Sequence, residues 1–174
     1  MLSHWKEKEA LIILTNNPTY AQLLKSPVLL LAFGFGSGLS SKAPGTVGSL
    51  LALVLWLFLA KLSLPFYLVF VAICAVAGVY ICGVAADRLG VHDHGGIVWD
   101  EFVGLWIAMT ALPVSWASII LGFGLFRLFD IFKPWPISWM DKNISGGLGI
   151  MLDDIAAGVA TAVSIGLLNL LGWI

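Results

Sequence analysis

The chain has 174 residues, 60% of them apolar and only 11% charged, with a formal net charge of −1 and a mean hydropathy of +0.99. A soluble domain averages about 25% charged residues, so this chain lacks the polar surface to cover itself in water, and lipid is the expected solvent. The near-zero charge removes any electrostatic case for nucleic acid, and the length fits one compact domain or one small membrane bundle.

In chain order, residues 1–26 carry Lys6, Glu7, Lys8 and Glu9, then a short apolar stretch without a cleavage site. They read as a surface helix or docking arm, not as a cleaved signal. Residues 26–41 are short, weakly apolar and rich in glycine, and are expected to re-enter or to lie in the interface. Four longer stretches, 43–60, 62–86, 102–126 and 155–174, hold no charge. A spanning helix needs about 20 apolar residues, within a range of about 17–25. The second and fourth stretches satisfy this, and the first approaches it if tilted. The third is broken by Pro113. Proline removes an intrahelical hydrogen bond and clashes with the preceding turn. Leu112-Pro113-Val114-Ser115 therefore predicts a turn between an arm over 99–112 and one from 115 to about 132, roughly 20 and 27 Å long. The expected fold is an all-α, polytopic membrane bundle of about five apolar helices: two hairpins plus a C-terminal helix. Residues 27–174 are expected to form one membrane-embedded domain. Cys74 and Cys82 share one helix, about 12 Å apart along its axis, too far for a disulfide.

Charge placement tests this topology. With the turns at 61–65 and 112–115 on the outer side, eight of the nine basic residues fall on the other side, as Lys6, Lys8, Lys25, Lys42, Arg88, Arg127, Lys133 and Lys142. The positive-inside rule makes that side cytoplasmic. All ten acids fall there too. A single long helix over 102–126 would split them between compartments.

Four polar segments alternate with the apolar ones. Residues 40–49, SSKAPGTVGS, precede a helix. They read either as a phosphate cradle, with Lys42, Thr46 and Ser49 as donors beside helical N–H groups, or as an ordinary helix cap. Residues 87–101 include Asp87, Asp100 and Glu101. Acids at a helix start complement the macrodipole. They also suit Mg²⁺, which takes hard oxygen ligands, often one or two carboxylates with phosphate and water. His92, Asp93 and His94 resemble a zinc patch, but sequence neighbours rarely converge on one ion. Arg127, Asp130 and Lys133 recur every three residues along one helix face. That spacing is an ion-pair ladder or, because polar stripes near lipid are expensive, a phosphate-binding face. Arg127 would fork to phosphate oxygens and Asp130 would ligate or orient it. Asp153 and Asp154 follow a glycine-rich run and are expected at a helix start, where a shared cation would relieve their repulsion.

Other phosphatase chemistries find no signature. No Asp-x-Asp pair and no Lys-x₆-Arg-Pro pattern occurs. Cys82 and Arg88 have Cys-x₅-Arg spacing, but apolar helix residues fill the gap and Asp87 would repel phosphate. Cys82 reads as a small buried hydrophobe.

Residues 33–39 (FGFGSGL), 43–49 (APGTVGS), 91–101 (VHDHGGIVWDE), 126–137 (FRLFDIFKPWPI) and 146–154 (GGLGIMLDD) together resemble the phosphatidylglycerophosphatase A family. The resemblance runs from about residue 27 onward, and the blocks in this order and spacing make it specific. It implies an all-helical inner-membrane enzyme that uses Mg²⁺ to hydrolyse phosphatidylglycerophosphate to phosphatidylglycerol and phosphate. The family's acidic positions fall on Asp87, Asp100, Glu101, Asp130, Asp153 and Asp154, and its basic ones on Arg127 and Lys133. Chemistry then makes Asp100, Glu101, Asp153 and Asp154 the expected metal ligands. Arg127 and Lys133, with Lys42, Thr46 and Ser49, would bind phosphate, and Asp130 or Asp87 would move the proton. Trp99, Trp106 and Trp135 are expected to wall the acyl chains. A small transporter, or another metal-dependent head-group enzyme, is the alternative. The sequence leaves the oligomeric state open.

Overall fold

A computed structural model describes residues 18–91 and 94–172, and these contain helices, turns and loops but no strand. Residues 1–17 of the expected arm, and His92 and Asp93, lie outside the described residues. In chain order come α1 (Tyr20–Leu24), α2 (Pro27–Ala32), a 3₁₀ segment (Gly34–Leu39), α3 (Pro44–Leu59), α4 (Leu64–Leu89), α5 (Trp99–Ala108), α6 (Trp116–Phe132), α7 (Ile137–Asn143) and α8 (Gly146–Leu170).

Local chemistry sets the boundaries. Ser26 caps α2 by accepting from the Leu29 amide, with Pro27 as the first helical residue. Gly90 ends α4 in the left-handed conformation, φ 67°. The break around Pro113 is present: α5 stops at Ala108, Ala111 takes φ 59°, and Ser115 caps α6 by accepting from the Ser118 amide. α5 is thus four residues shorter than the expected arm, about 15 Å long.

The largest departure is α8. It begins at Gly146, well before residue 155, so Asp153 and Asp154 lie two turns inside a helix and not at its start. One glycine of the run that looked like a loop, Gly147, is a contact point, as is Gly158 further along α8. A Cβ at Gly147 would sit 1.9 Å from the Val79 carbonyl oxygen of α4, and one at Gly158 would sit 2.3 Å from that of Gly104 in α5. Small residues let helix backbones approach this closely.

α5 forms the centre of the bundle. Trp99 and Trp106 are buried, not lining an acyl wall as expected. Their indole N–H groups donate to the carbonyls of Cys74 (3.2 Å) and Ala52 (3.0 Å), and the Tyr67 hydroxyl donates to the Trp106 carbonyl at 2.5 Å. The outer faces are apolar. On α4, Phe66, Val69, Ile73, Val76 and Tyr80 are exposed at alternating spacings of three and four. Val159, Val163, Leu167 and Leu170 form a like stripe on α8, at spacings of four, four and three. Soluble monomers rarely expose such continuous stripes. α4 and α8, of 26 and 25 residues, are long and apolar enough to cross a membrane, while α3 is apolar but shorter. The turns after α3 and α5 and the long final helix are present, but α3 and α4 pack against α5 and hardly against each other, and among the described residues only α4 and α8 have spanning length.

The helix ends sort by character. The start of α3, the C-terminal end of α4, the start of α5 and the end of α6 gather at one end of the bundle, through contacts of Gly45 with Glu101 and of Arg127 with Thr46 and Ser49. The turns after α3 and α5 lie at the other, where Lys61 stands without a second basic residue. The segment expected to re-enter packs back on the polar end. Arg88 donates to Ser26 Oγ (2.8 Å), and the Val98 amide donates to the Ala32 carbonyl (2.8 Å).

Candidate active site

At the polar end, Asp100 and Glu101 in the first turn of α5 meet Asp154 of α8. One carboxylate oxygen from each lies within 4.8 Å of the others. Glu101 Oε2 and Asp154 Oδ1 are buried and make no hydrogen bond. Gly45, in the first turn of α3, covers Glu101: a Cβ there would lie 2.2 Å from Glu101 Oε1. Only glycine lets this helix end close over the carboxylate.

Arg127 of α6 lies against the cluster. Its guanidinium binds Asp130 Oδ2, one turn on, and approaches Glu101 Oε1 at 4.0 Å. Nη1 donates to Ser49 Oγ and Nη2 to Thr46 Oγ1, both at 3.3 Å. Ser49 Oγ in turn donates to the Gly45 carbonyl at 2.8 Å. Thr46 and Ser49, expected to hold phosphate, therefore hold the arginine. Asp130 orients Arg127, as its spacing implied, and its charge also bears on Glu101 and Asp154.

Lys133 leaves the ladder. It caps α6 in the left-handed conformation, φ 42°, which swings it off the Arg127–Asp130 face. Its ammonium donates to Asp141 Oδ1 of α7 (2.5 Å) and Asp153 Oδ2 of α8 (2.6 Å). Burial disfavours the ammonium, but the hydrogen bonds and charges of the two aspartates outweigh it and hold Lys133 above the usual lysine range. Asp153 is thereby separated from the three-carboxylate group. Successive helix residues diverge by about 100°, and Asp153 faces Lys133 while Asp154 faces α5. Asp141 had no place in the sequence reading, because it lies eight residues from Lys133 across a helix break and no periodicity links them.

Two expected residues lie apart. Asp87 is exposed near the end of α4, outside the converging carboxylates, and Lys42 is exposed before α3. Cys82 is fully buried, 3.8 Å from Met151 Sδ, in the middle of a helix and without a phosphate cradle. His94 Nδ1 accepts from the Gly96 amide at 3.0 Å, and its ring packs on Phe33. It is a loop-shaping residue.

Asp100, Glu101 and Asp154 fit a hard divalent cation. The donors are all carboxylate oxygens, two of them buried without a partner. Opposite ligands of Mg²⁺ stand about 4.2 Å apart, so small side-chain rotations would close the set.

The phosphatidylglycerophosphatase A family profile matches residues 30–169. The chain is 49% identical over 150 residues to Phosphatidylglycerophosphatase A of Escherichia coli (strain K12), covering 86% of each chain. It is 47% identical over 150 residues to Phosphatidylglycerophosphatase A of Haemophilus influenzae (strain ATCC 51907 / DSM 11121 / KW20 / Rd), covering 85% of this chain and 92% of the relative. No solved structure matches. With a profile spanning most of its length and relatives this similar over most of theirs, the chain belongs to the phosphatidylglycerophosphatase A family.

Proposed function

We propose that this chain is a multi-pass membrane phosphatase that hydrolyses phosphatidylglycerophosphate to phosphatidylglycerol and phosphate, using Mg²⁺ held by Asp100, Glu101 and Asp154. The observation that carries the reading is the meeting of these three carboxylates beside Arg127, inside a bundle whose outer faces are apolar. An arginine beside converging acids suits a reaction in which a phosphoryl group is gripped while charge moves onto its oxygens. The activity for which the two relatives are named supports phosphatidylglycerophosphate as the substrate.

Bound there, Mg²⁺ supplies Lewis acidity toward the phosphoryl oxygens and lowers the pKa of water. The chain's own groups do the rest. Arg127, fixed by Thr46, Ser49 and Asp130, offers its guanidinium to the phosphoryl oxygens. Lys133 adds a cation at the rim. Asp130 would accept the proton of the attacking water as that oxygen bonds to phosphorus, and would return it to the glycerol oxygen as the phosphorus–oxygen bond to glycerol breaks. The exposed stripes of α4 and α8 face acyl chains, so the lipid presents its head group without leaving the bilayer. The charge bias supports a cytoplasmic polar end. A conduit would need polar groups at mid-bilayer and at both ends. Among the described residues the other end holds Lys61 as its one charged side chain.

The test is phosphate release from phosphatidylglycerophosphate by purified protein in detergent. Mg²⁺-dependent release abolished by EDTA is expected. Release unchanged by EDTA would remove the metal, and no release with Mg²⁺ present would remove the reaction.

A further inference from the structure

We propose that Asp141 is a positioning residue for this reaction: from α7 it holds the Lys133 ammonium at the rim of the site, where the substrate's phosphate meets it. The inference rests on the phosphatase reading above. It starts from the way Lys133 is held. A lysine ammonium is a flexible point charge with three donors, and here two of them are committed, one to Asp153 and one to Asp141. The third N–H remains for a ligand. Asp153 is almost buried on the long α8, whereas Asp141 is 37% exposed on a seven-residue helix. The pair therefore pins the cation between core and surface.

The surroundings fit a lipid entrance. Ile131, Phe132, Trp135 and Trp139, on either side of Lys133, are all strongly exposed. Tryptophan is enriched at the level of lipid head groups, so α7 would lie along the interface with Asp141 turned inward to Lys133. Without Asp141, the four-carbon stem of Lys133 regains rotamer freedom, and the head group must order it on binding. The loss falls on binding more than on the chemical step.

The experiment measures kcat and KM with phosphatidylglycerophosphate in mixed micelles for the wild type, Asp141→Ala, Asp141→Glu, Lys133→Ala and the double variant, with thermal melting of each. Asp141→Ala is expected to raise KM about three- to ten-fold with a smaller change in kcat. Asp141→Glu should recover most of the loss. In the Lys133→Ala background, Asp141→Ala should cost nothing more, because both changes remove one interaction. Additive losses, or a fall in kcat alone that Asp141→Glu does not relieve, would assign Asp141 to docking of α7 and overturn the proposal, as would unchanged kinetics in Asp141→Ala. A wild type inactive under these conditions would instead strike the phosphatase reading, leaving the two failures distinct.

Discussion

Asp154 is the residue in which burial and chemistry conflict most directly. It is 3% exposed, its Oδ1 has no hydrogen bond, and the charges of Asp100, Asp130 and Asp153 act on it. Burying a carboxylate among carboxylates is costly unless a cation compensates. Asp154→Asn should therefore leave the protein folded, or even raise its melting temperature in EDTA, while lowering turnover by on the order of 100-fold or more. Near-normal phosphate release from this variant would defeat the metal assignment. Cys82 gives the opposite expectation. Cys82→Ser should keep most of the activity, because the thiol is fully buried against Met151 Sδ, apart from the converging carboxylates, and complete loss with folding intact would reopen a covalent route. Asp153 and Asp154 show why one dipeptide can be legible as a site yet not as geometry. Their acidity in an apolar chain marked them. Which one faces the cluster depended on how α8 seats against its neighbours, and that seating turns on Gly147, whose contact is with the distant α4.

Among the helices, the glycines divide into two kinds, and substitution should separate them. A Cβ on Gly147 would meet the Val79 carbonyl oxygen, a backbone atom that cannot step aside. Gly147→Ala should destabilise by about 1–3 kcal/mol, read as a fall in melting temperature with activity reduced in proportion to unfolding. A Cβ on Gly45 would meet the far end of the Glu101 side chain, which can swing away cheaply. Gly45→Ala should melt close to the wild type but lose most of its activity; equal losses in both measurements would show that Glu101 is not displaced from a working position. Much at this scale was legible beforehand. The apolar runs, the break at Pro113, and the pairing of Arg127 with Asp130 all follow from local rules of hydropathy, proline geometry and helical spacing. What was not legible shared one cause. The early start of α8, the inward turn of Trp99 and Trp106, the capture of Thr46 and Ser49 by Arg127, and the Lys133–Asp141 bond are all contacts between segments far apart in the chain or across a helix break.

For the molecule as a whole, the division between a charged end and a nearly bare one predicts an orientation. With Ser41→Cys before α3 and Ser63→Cys before α4 as single reporters, and the native cysteines buried, an impermeant thiol reagent on intact spheroplasts should label residue 63 and spare residue 41. Reversed labelling would turn the catalytic end outward, against the charge bias. The same layout spreads the site along the chain: Thr46 and Ser49 from α3, Asp100 and Glu101 from α5, Arg127 and Asp130 from α6, and Asp154 from α8. A ribosome delivers these pieces in that order, and Asp154, the third of the converging carboxylates, arrives only with α8. On the proposed assignment the polypeptide is therefore inert toward the surrounding lipid until α8 has been made, and a first turnover reports that the earlier helices have found their places.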